Sequence, residues 1–395
     1  MKNRSMLSRR DFLSSTGAIL AGTALCGPAL AADESGAPNA PAPDIDHVVV
    51  ASEQGRFFGW PANNGLWSWD GGREILAGFT NGRWQDQPGH SIAEPYIASL
   101  ARSLDGGQTW SIESPDNFVI GANAPVSSPG DIDFGHAGFA LRVSAAGYIE
   151  SDDTEGRFFF SYDRGKTWEG PYRFNGLHDA EELEGMEITS RTSYRVTGAN
   201  SAQIMMTARD PELEHARRRD KPFVAETTDG GETFQFVSWI VPWIDECNRA
   251  AMPSTVCTED GEIIVAVRVR NPRDIDIPCW IDTYISEDNG RNWSFLSKVG
   301  ETGLHNGNPA SLTLLSDGRL ACSYANRTDQ RMLVRLSSDK GASWDNEIVI
   351  RENPHEYDMG YPQSLQNPDG MLLVLYYIAT EERPHSYIEA AIFQP

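Results

Sequence analysis

The sequence has few cysteines and few basic residues, and it lacks long apolar segments beyond its N-terminus. Its five cysteines show no zinc-ligand spacing, so they predict no metal site. No run of 18 or more apolar residues follows the N-terminus, which excludes a membrane-spanning helix there. The 33 basic residues stand against 56 acidic ones, giving a formal net charge of -23 with no basic stripe to offset it. A nucleic-acid or anionic-membrane partner is therefore not expected.

The N-terminus is typical of an exported bacterial protein. The segment SRRDFL (residues 8–13) precedes a weakly apolar run, and Ala-Leu-Ala at 29–31 offers a cleavage site. This order predicts a twin-arginine signal peptide over residues 1–31. Residues 32–45 are rich in Ala, Pro and Gly and predict a flexible leader before a folded domain of residues 46–395. We expect a periplasmic or extracellular protein. That compartment permits, but does not require, disulfides among Cys247, Cys257, Cys279 and Cys322.

Five segments repeat a Ser/Thr-x-Asp-x-Gly-x-x-aromatic pattern, called here the aspartate box, with starts 51 to 66 residues apart. They are Ser103–Trp110, Ser161–Trp168, Thr227–Phe234, Ser286–Trp293 and Ser337–Trp344. In such a turn the aspartate accepts backbone hydrogen bonds, the glycine adopts a positive φ and the aromatic ring packs back on the sheet. Each box follows two short strand-like segments, so the repeat unit predicts a small antiparallel sheet.

Six copies of a three- to four-strand unit predict an all-β fold, a six-bladed β-propeller. The sixth unit has no box and no fourth strand of its own, and Asp46–Ser52 (DHVVVAS) is the expected strand that closes the ring. An open solenoid and a seventh blade are the alternatives. The boxes belong to turns at the outer edge, so their aspartates are expected to be structural rather than catalytic.

In a propeller, the start of each innermost strand and the end of the next strand meet at one rim. The predicted strand starts place there Trp60, His136, Arg191, Met252, Asn308 and Tyr361. The predicted ends of the second strands add Arg83, Asp152, Asp153, Arg209, Arg268, Arg327 and Tyr377. In the second blade, these two strands are expected at His136–Val143 and Tyr148–Ser151. So many arginines in an acidic protein predict a carboxylate-bearing ligand, such as an acidic sugar.

The boxes and two further segments make the chain similar to the sialidase (neuraminidase) superfamily, in its bacterial Asp-box (BNR) repeat branch. Residues 252–256 (MPSTV), followed by Arg268, resemble the family's fourth-blade segment and its downstream arginine. Residues 360–365 (GYPQSL) resemble the sixth-blade segment that carries the family's tyrosine nucleophile. The resemblance covers residues 46–395. It implies an exo-acting hydrolase of acidic glycans that needs no cofactor, with a structural calcium ion left open.

The resemblance also implies roles for individual residues. Tyr361 would be the nucleophile, because a neutral phenol is not repelled by the substrate's carboxylate as a carboxylate nucleophile would be. Arg268 would bind that carboxylate together with Arg327, for which Arg331 is a competing assignment. The remaining expected substrate-binding residues are Arg191, Arg56, His136 and Tyr377.

Three family positions have no direct counterpart. The first-blade arginine should stand two residues before Pro61, where the sequence has Gly59, and Arg56 is the nearest arginine. The glutamate that activates the tyrosine should stand at 252, which is methionine, and Glu246 is the substitute considered. For the acid/base, the loop before the first box offers Asp86, His90 and Glu94, with His90 or Asp86 assigned the role in the leading hypothesis.

Two other functions compete with hydrolysis. A polysaccharide lyase acting on uronate-containing polymers needs arginine to neutralise the carboxylate, and histidine or tyrosine to move the proton. A non-catalytic glycan-binding propeller is the third hypothesis. A metal centre is not predicted, because His90, His136 and His305 show no ligand motif.

Overall fold

The computed structural model describes residues 43–119, 124–144, 154–189, 191–210, 220–242, 249–271, 276–305 and 307–395. All of them belong to the compact unit Ala42–Pro395. The expected signal peptide, 1–31, and all but the last three residues of the expected leader, 32–45, lie outside the described residues. No helix among the described residues is long and apolar enough to cross a membrane.

The strands follow the chain blade by blade. A first strand, β1 (Asp46–Ala51), precedes the first blade. The first blade contains β2 (Arg56–Gly59), helix α1 (Pro61–Asn64), β3 (Leu66–Trp69), β4 (Glu74–Trp84), β5 (Ile92–Ser103) and β6 (Ser111–Glu113). The second contains β7 (Ala140–Ser144), β8 (Arg157–Ser161) and β9 (Glu169–Tyr172). The third contains β10 (Glu187–Thr189), β11 (Tyr194–Gly198), β12 (Ser201–Arg209), β13 (Asp220–Thr227) and β14 (Gln235–Trp239).

The remaining three blades are more regular. The fourth contains β15 (Arg249–Cys257), β16 (Ile263–Arg270), β17 (Cys279–Ser286) and β18 (Ser294–Gly303). The fifth contains β19 (Ser311–Leu314), β20 (Leu320–Asn326), β21 (Arg331–Ser337) and β22 (Ile348–Glu352). The sixth contains β23 (Gly360–Gln366), β24 (Leu372–Ile378) and β25 (Tyr387–Phe393). Single turns of 3-10 helix lie at Asp70–Gly72, Leu177–Asp179 and Glu181–Leu183.

Six separate antiparallel sheets confirm the predicted six-bladed propeller. In the sixth sheet the strand order is β23, β24, β25 and then β1. The N-terminal strand β1 pairs antiparallel with β25, with Asp46 opposite Ile392, so the predicted ring closure is also confirmed. The pairing covers the outer edge of β25, which would otherwise expose a row of unpaired backbone groups.

The aspartate boxes form the turns between the third and fourth strands, as predicted. In the first box, Asp105 Oδ1 accepts the Thr109 N–H at 2.9 Å, and Trp110 Nε1 donates to the Gly107 carbonyl at 2.8 Å. In the fourth box, hydrogen bonds from the side chain and backbone of Asn292 lower the pKa of Asp288 to about 2. A carboxylate held ionised by its own turn is suited to a structural role.

The innermost strands of three blades are broken at a residue that precedes proline and has a positive φ. These residues are Trp60 (φ 54°), Met252 (φ 60°) and Tyr361 (φ 50°). In the fourth and sixth blades, the pairing register shifts at the break, between Ala251 and Ser254 and between Gly360 and Gln363. All three residues are buried in one apolar cluster, so the breaks bring side chains from blades one, four and six together.

The second blade differs from the prediction. Strand β7 pairs directly with β8, which leads into the box, so β7 corresponds to the second strand of the other blades. The expected first strand, His136–Val143, is therefore wrong, and the expected second strand, Tyr148–Ser151, lies outside the described residues. Among the described residues from 114 to 139, the chain forms only an isolated bridge at Val126. The strand-like pattern of residues 136–143 thus belongs in part to β7, which is the second strand of the blade and not the first.

Candidate functional site

Tyr361 and Arg268 meet at the rim opposite the aspartate boxes. Arg268 Nη1 donates a hydrogen bond to Tyr361 Oη at 3.3 Å. Arg268 lies near the end of β16, opposite Ala251 of β15, whereas Tyr361 follows the first residue of β23. Blade four thus contributes Arg268, which is 6% exposed, and blade six contributes Tyr361, which is 8% exposed.

The backbone of Tyr361 is fixed by the fifth blade. The buried Asn308 accepts the Tyr361 N–H at 2.8 Å through Oδ1 and donates to the Met359 carbonyl at 3.3 Å through Nδ2. A Cβ added to Gly360 (φ 104°) would lie 2.3 Å from Asn308 Oδ1, so only glycine permits this close approach. The strained φ of Tyr361 is therefore stabilised by a side chain from another blade.

Two further arginines surround Tyr361. The guanidinium carbon of Arg327 lies 5.6 Å from the centre of the Tyr361 ring. Arg191 is 1% exposed and donates to the Ala310 carbonyl oxygen at 3.0 Å. Burial, together with the neighbouring charge of Arg268, lowers the pKa of Arg191 to about 10, so Arg191 remains a cation at neutral pH. Three positive charges therefore converge on one phenol.

Asp358 connects Arg327 to Tyr377 of the sixth blade. Its Oδ1 accepts a hydrogen bond from Arg327 Nη2 at 2.9 Å and a second one from the Tyr377 hydroxyl. Arg327 Nη2 also lies 2.8 Å from Tyr377 Oη. Burial and the Asp358 carboxylate raise the pKa of Tyr377 well above its usual range. Tyr377 is completely buried, so it does not line the mouth of the channel. Its hydroxyl instead holds Arg327 and Asp358 in place through hydrogen bonds.

His90 reaches the same carboxylate from the first blade. Its Nδ1 lies 2.8 Å from Asp358 Oδ2, and its ring meets Trp60 edge-on with 4.9 Å between ring centres. The His90 side chain is 44% exposed. Asp86 is in the same loop, but its side chain is exposed and makes no hydrogen bond or ion pair within the described part of the chain. Glu94 is likewise exposed, with no side-chain hydrogen bond or ion pair to the described residues. Of the three acid/base candidates, the fold brings only His90 to the cluster.

Sequence reasoning missed Asp358. It stands three residues before Tyr361, in the loop that leads into β23, whereas the search for an acid was confined to the first-blade loop. The sequence feature that could have indicated Asp358 is its place close to Tyr361, which was predicted to lie at the rim. Its importance comes from contacts with blades one and five, which no local pattern encodes.

The first-blade side of the mouth is apolar where the resemblance suggested an arginine. A Cβ on Gly59 would lie 2.5 Å from the Phe57 ring and 3.4 Å from the Tyr377 ring. The Phe57 ring centre is 5.1 Å from that of Trp60 and 5.9 Å from that of Tyr377. Phe57 thus fills the space that a longer side chain at position 59 would need. Met252, where the resemblance suggested a glutamate, packs in the same cluster.

The other expected site residues lie elsewhere. Arg56 donates from Nε to Asn81 Oδ1 at 2.9 Å in the first blade and has no described contact with Tyr361. His136 Nδ1 accepts the Gly138 N–H at 3.1 Å, and its ring is tilted against that of Tyr162, a residue of the second box, with 4.9 Å between ring centres. Its expected place at the mouth is therefore wrong: it lies at the opposite rim, for the reason given for β7. Glu246 lies outside the described residues.

A buried ion cluster lies beside the site, at the junction of blades three and four. Asp220 accepts a hydrogen bond from Arg209 Nε at 2.8 Å, and its other oxygen accepts one from Arg249 Nε at 2.8 Å. All three residues are at most 5% exposed. Two guanidinium groups thus share the Asp220 carboxylate.

No group of three or more His, Cys, Asp or Glu side chains suited to a metal ion occurs among the described residues. Three cysteines in that part of the chain are free thiols: Cys257, Cys279 and Cys322. Cys247 lies outside it. The site described above therefore consists of arginine, tyrosine, histidine and aspartate.

The fold and its repeated aspartate boxes define a six-bladed propeller of BNR-type repeats, and comparison with protein families agrees. The family described as BNR repeat-like domain matches residues 159–374. This match spans more than half of the chain, which therefore belongs to the BNR repeat-like family. A search of curated proteins finds no match.

Solved structures share the propeller fold at low sequence identity. A Dyadobacter fermentans protein of unknown function is 17% identical with a TM-score of 0.66, and the match covers 90% of this chain and 100% of that one. The GH93 α-L-arabinofuranosidase of Fusarium graminearum, solved with arabinobiose, is 14% identical with a TM-score of 0.59, over 88% and 97% of the two chains. Trypanosoma rangeli sialidase is 14% identical with a TM-score of 0.54, over 89% of this chain and 60% of its own.

Proposed function

We propose that the protein is an exo-acting, sialidase-like glycoside hydrolase for glycans that carry a carboxylate. The observation that supports this most directly is the hydrogen bond between Arg268 and Tyr361, with Arg191 and Arg327 close to the same phenol. Guanidinium groups bind carboxylates through paired hydrogen bonds. In a protein of net charge -23, arginines concentrated at one point favour an anionic ligand locally.

In this mechanism the arginines hold the substrate's carboxylate and the phenolic proton of Tyr361 passes to solvent. The phenolate, held by Arg268, attacks the anomeric carbon as the glycosidic C–O bond breaks. The leaving oxygen takes a proton from His90, and a covalent glycosyl–tyrosine intermediate forms. His90 then accepts a proton from water, which hydrolyses the intermediate. Arg268 stabilises the negative charge that develops on the Tyr361 oxygen. The similarity to a solved sialidase and a solved arabinofuranosidase supports a glycan as the ligand.

A polysaccharide lyase is the second candidate, and one specific observation favours it. The Tyr361 hydroxyl contacts Arg268, and the residue where a glutamate partner was expected is the apolar Met252. β-Elimination needs no carboxylate base: arginine acidifies the C–H beside the substrate's carboxylate, while Tyr361 and His90 move protons. The product carries a double bond that absorbs in the near ultraviolet, whereas hydrolysis gives no such absorbance.

The test is incubation of the mature protein with sialosides, uronate polymers and neutral arabino-oligosaccharides, with products identified by mass spectrometry and ultraviolet absorbance. Tyr361→Phe should lower turnover by about 10²- to 10⁴-fold. Tyr162→Phe, which alters a tyrosine at the box rim, is the matched control and should be as active as the wild type. Unchanged turnover in Tyr361→Phe would contradict both mechanisms. Binding without any product would support a non-catalytic propeller.

We further propose that residues 1–31 direct export by the twin-arginine route. The proposal rests on Arg9-Arg10 and the small-residue triplet at 29–31. Replacing both arginines by lysine should abolish export. The exported wild-type protein should begin at residue 32, and a mature protein that retains residues 1–31 would contradict the proposal.

A further inference from the structure

We propose that Asp358 is a shared counter-ion: it holds His90 for proton transfer and competes with the ligand's carboxylate for Arg327. The kinetic part of this inference rests on the proposed function. The binding part rests only on the geometry of the site.

The two oxygens of Asp358 face different partners. Oδ2 lies 2.8 Å from His90 Nδ1, and Oδ1 lies 2.9 Å from Arg327 Nη2. The Asp358 side chain is 6% exposed, so water does not substitute for either contact. The Asp358 carboxylate therefore bridges His90 of the first-blade loop and Arg327 of the fifth blade. A change in the charge of His90 or Arg327 alters the electrostatic environment of the other residue through Asp358.

The contact with His90 fixes the orientation of the imidazole. A ring nitrogen bound to a carboxylate carries the proton, which leaves the other nitrogen to exchange protons with a ligand. His90 Nε2 has no hydrogen-bond partner among the described residues, and the side chain is 44% exposed. The edge-on contact with Trp60 restrains the ring further. Asp358 is thus a positioning residue for His90.

The contact of Asp358 with Arg327, in contrast, opposes the binding of an anionic ligand. Arg327 is 3% exposed, and its Nε is already bound to the Met359 carbonyl at 3.1 Å. Because Asp358 occupies Nη2, a ligand carboxylate must share the guanidinium group with a resident negative charge. Like charges placed this close repel each other, so Asp358 weakens binding of the anion that the arginines attract.

The other charged groups near His90 are few. Glu356, on the same loop as Asp358, accepts a hydrogen bond from Ser91 Oγ at 3.3 Å, and burial raises the pKa of Glu356. Arg327 and Tyr377 face Asp358 from blades five and six. Within the described part of the chain, Glu356 makes no hydrogen bond or ion pair with His90 or Arg327, so it is the matched control carboxylate.

The kinetic test compares Asp358→Asn, His90→Gln and Glu356→Gln with the wild type. Asp358→Asn should lower kcat by about 10²-fold or more, because His90 loses its orientation, and should also lower KM. His90→Gln should lower kcat by about 10²- to 10⁴-fold without lowering KM. Glu356→Gln should change neither constant. A raised KM in Asp358→Asn would overturn the proposal, because a merely structural carboxylate would give that result.

The binding test uses sodium D-glucuronate and calorimetry at pH 8, and does not require turnover. Asp358→Asn should bind glucuronate about five- to fifty-fold more tightly than the wild type, since one repelling charge is removed. Glu356→Gln should bind as the wild type does. Weaker binding in Asp358→Asn would overturn the competition. Absence of binding to both proteins would also overturn it, because the proposal requires that Arg327 accept a carboxylate.

A third measurement covers the case in which Asp358→Asn does not fold. Nitrogen-15 NMR of the wild type, assigned with His90→Gln, should show His90 protonated at Nδ1 in its neutral form. A neutral ring protonated at Nε2 would overturn the role of Asp358. If no glycan is turned over, the proposed function fails, while the calorimetric and NMR results still decide whether Asp358 acts as described.

Discussion

Met252 and Tyr361 occupy equivalent positions in the fourth and sixth blades: each stands at the break of an innermost strand, precedes a proline and has a positive φ. A residue before proline is normally extended, and a non-glycine residue in the left-handed region costs about 1–3 kcal/mol. The same strained backbone presents a thioether in one blade and a phenol in the other. The chemistry of the mouth thus differs between blades whose backbones are alike.

Asn308 should be essential for the position of Tyr361. Asn308→Ala leaves the buried Tyr361 N–H and Met359 carbonyl without their partner, so we expect a loss of about 2–4 kcal/mol in the free energy of unfolding. Turnover should fall as well, because Tyr361 is no longer fixed. Urea unfolding and steady-state kinetics measure both effects. Asn63→Ala, a half-buried asparagine without a described side-chain hydrogen bond, is the control. Equal stability of the two variants would contradict this account.

Gly59 should not tolerate a side chain. Gly59→Ala places a Cβ 2.5 Å from the Phe57 ring, and we expect a loss of about 1–3 kcal/mol from overpacking. Gly135→Ala, whose added Cβ meets nothing closer than 3.4 Å, should change stability by less than about 0.5 kcal/mol. Denaturant unfolding compares the two. If Gly59→Ala is as stable as the wild type, Phe57 does not block the position.

Asp220 should be costly to neutralise. Asp220→Asn leaves the buried guanidinium groups of Arg209 and Arg249 without a shared counter-charge, and we expect a loss of about 3–5 kcal/mol. The matched control is Asp317→Asn, which breaks an exposed ion pair with Arg319 and should cost less than about 1 kcal/mol. Comparable unfolding free energies for the two variants would show that the buried cluster contributes little.

Glu389 should make ring closure dependent on pH. This carboxylate is 3% exposed and accepts hydrogen bonds from Tyr376 and Tyr387, each at 2.7 Å. It also pairs with Arg351 of the fifth blade and His47 of β1. Burial raises the pKa of Glu389, but the hydrogen bonds from His47 and the two tyrosines, with the charge of Arg351, outweigh burial and lower it.

The sign of the pH effect follows from that lowered pKa. The folded protein binds the Glu389 proton more weakly than the unfolded chain does, so the stabilisation is complete above the unfolded pKa of about 4.3. It is lost as the pH falls through the lower folded value. Glu389→Gln should therefore cost about 2–4 kcal/mol at pH 7 and progressively less below pH 4. Urea titrations across this range test it. A difference independent of pH would contradict the assignment.

The sequence could predict the number of blades because each aspartate box is a local signal. Ser103–Trp110 and its four counterparts encode their turn within eight residues, so no distant contact is needed to recognise them. The closing strand was also predictable, since a unit without a fourth strand leaves one edge to be paired. The strand order of the second blade was not predictable. The strand-like pattern of His136–Val143 fits a first or a second strand of a blade equally well, and only the pairing with β8 shows that it belongs to the second.

The site was predictable only where side chains belong to the repeat. Arg268 and Tyr361 come from strand ends whose place at the rim follows from the repeat, and the structure brings them within hydrogen-bond distance. Asp358 and the orientation of His90 depend on loops from blades one and six meeting across the mouth. His90 and Asp358 are 268 residues apart in the chain, and no local sequence pattern around either residue specifies their contact.

The pairing of β1 with β25 sets the order in which the chain can be completed. Asp46 is opposite Ile392, so the partner of β1 is synthesised only after the other strands of the six blades. During synthesis, β1 remains without its partner strand until five complete blades and most of a sixth have been made. Joining segments so far apart in the chain has a high entropic cost until the intervening blades have formed. Among the described strands of the ring, β1 is therefore synthesised first and is among the last to pair.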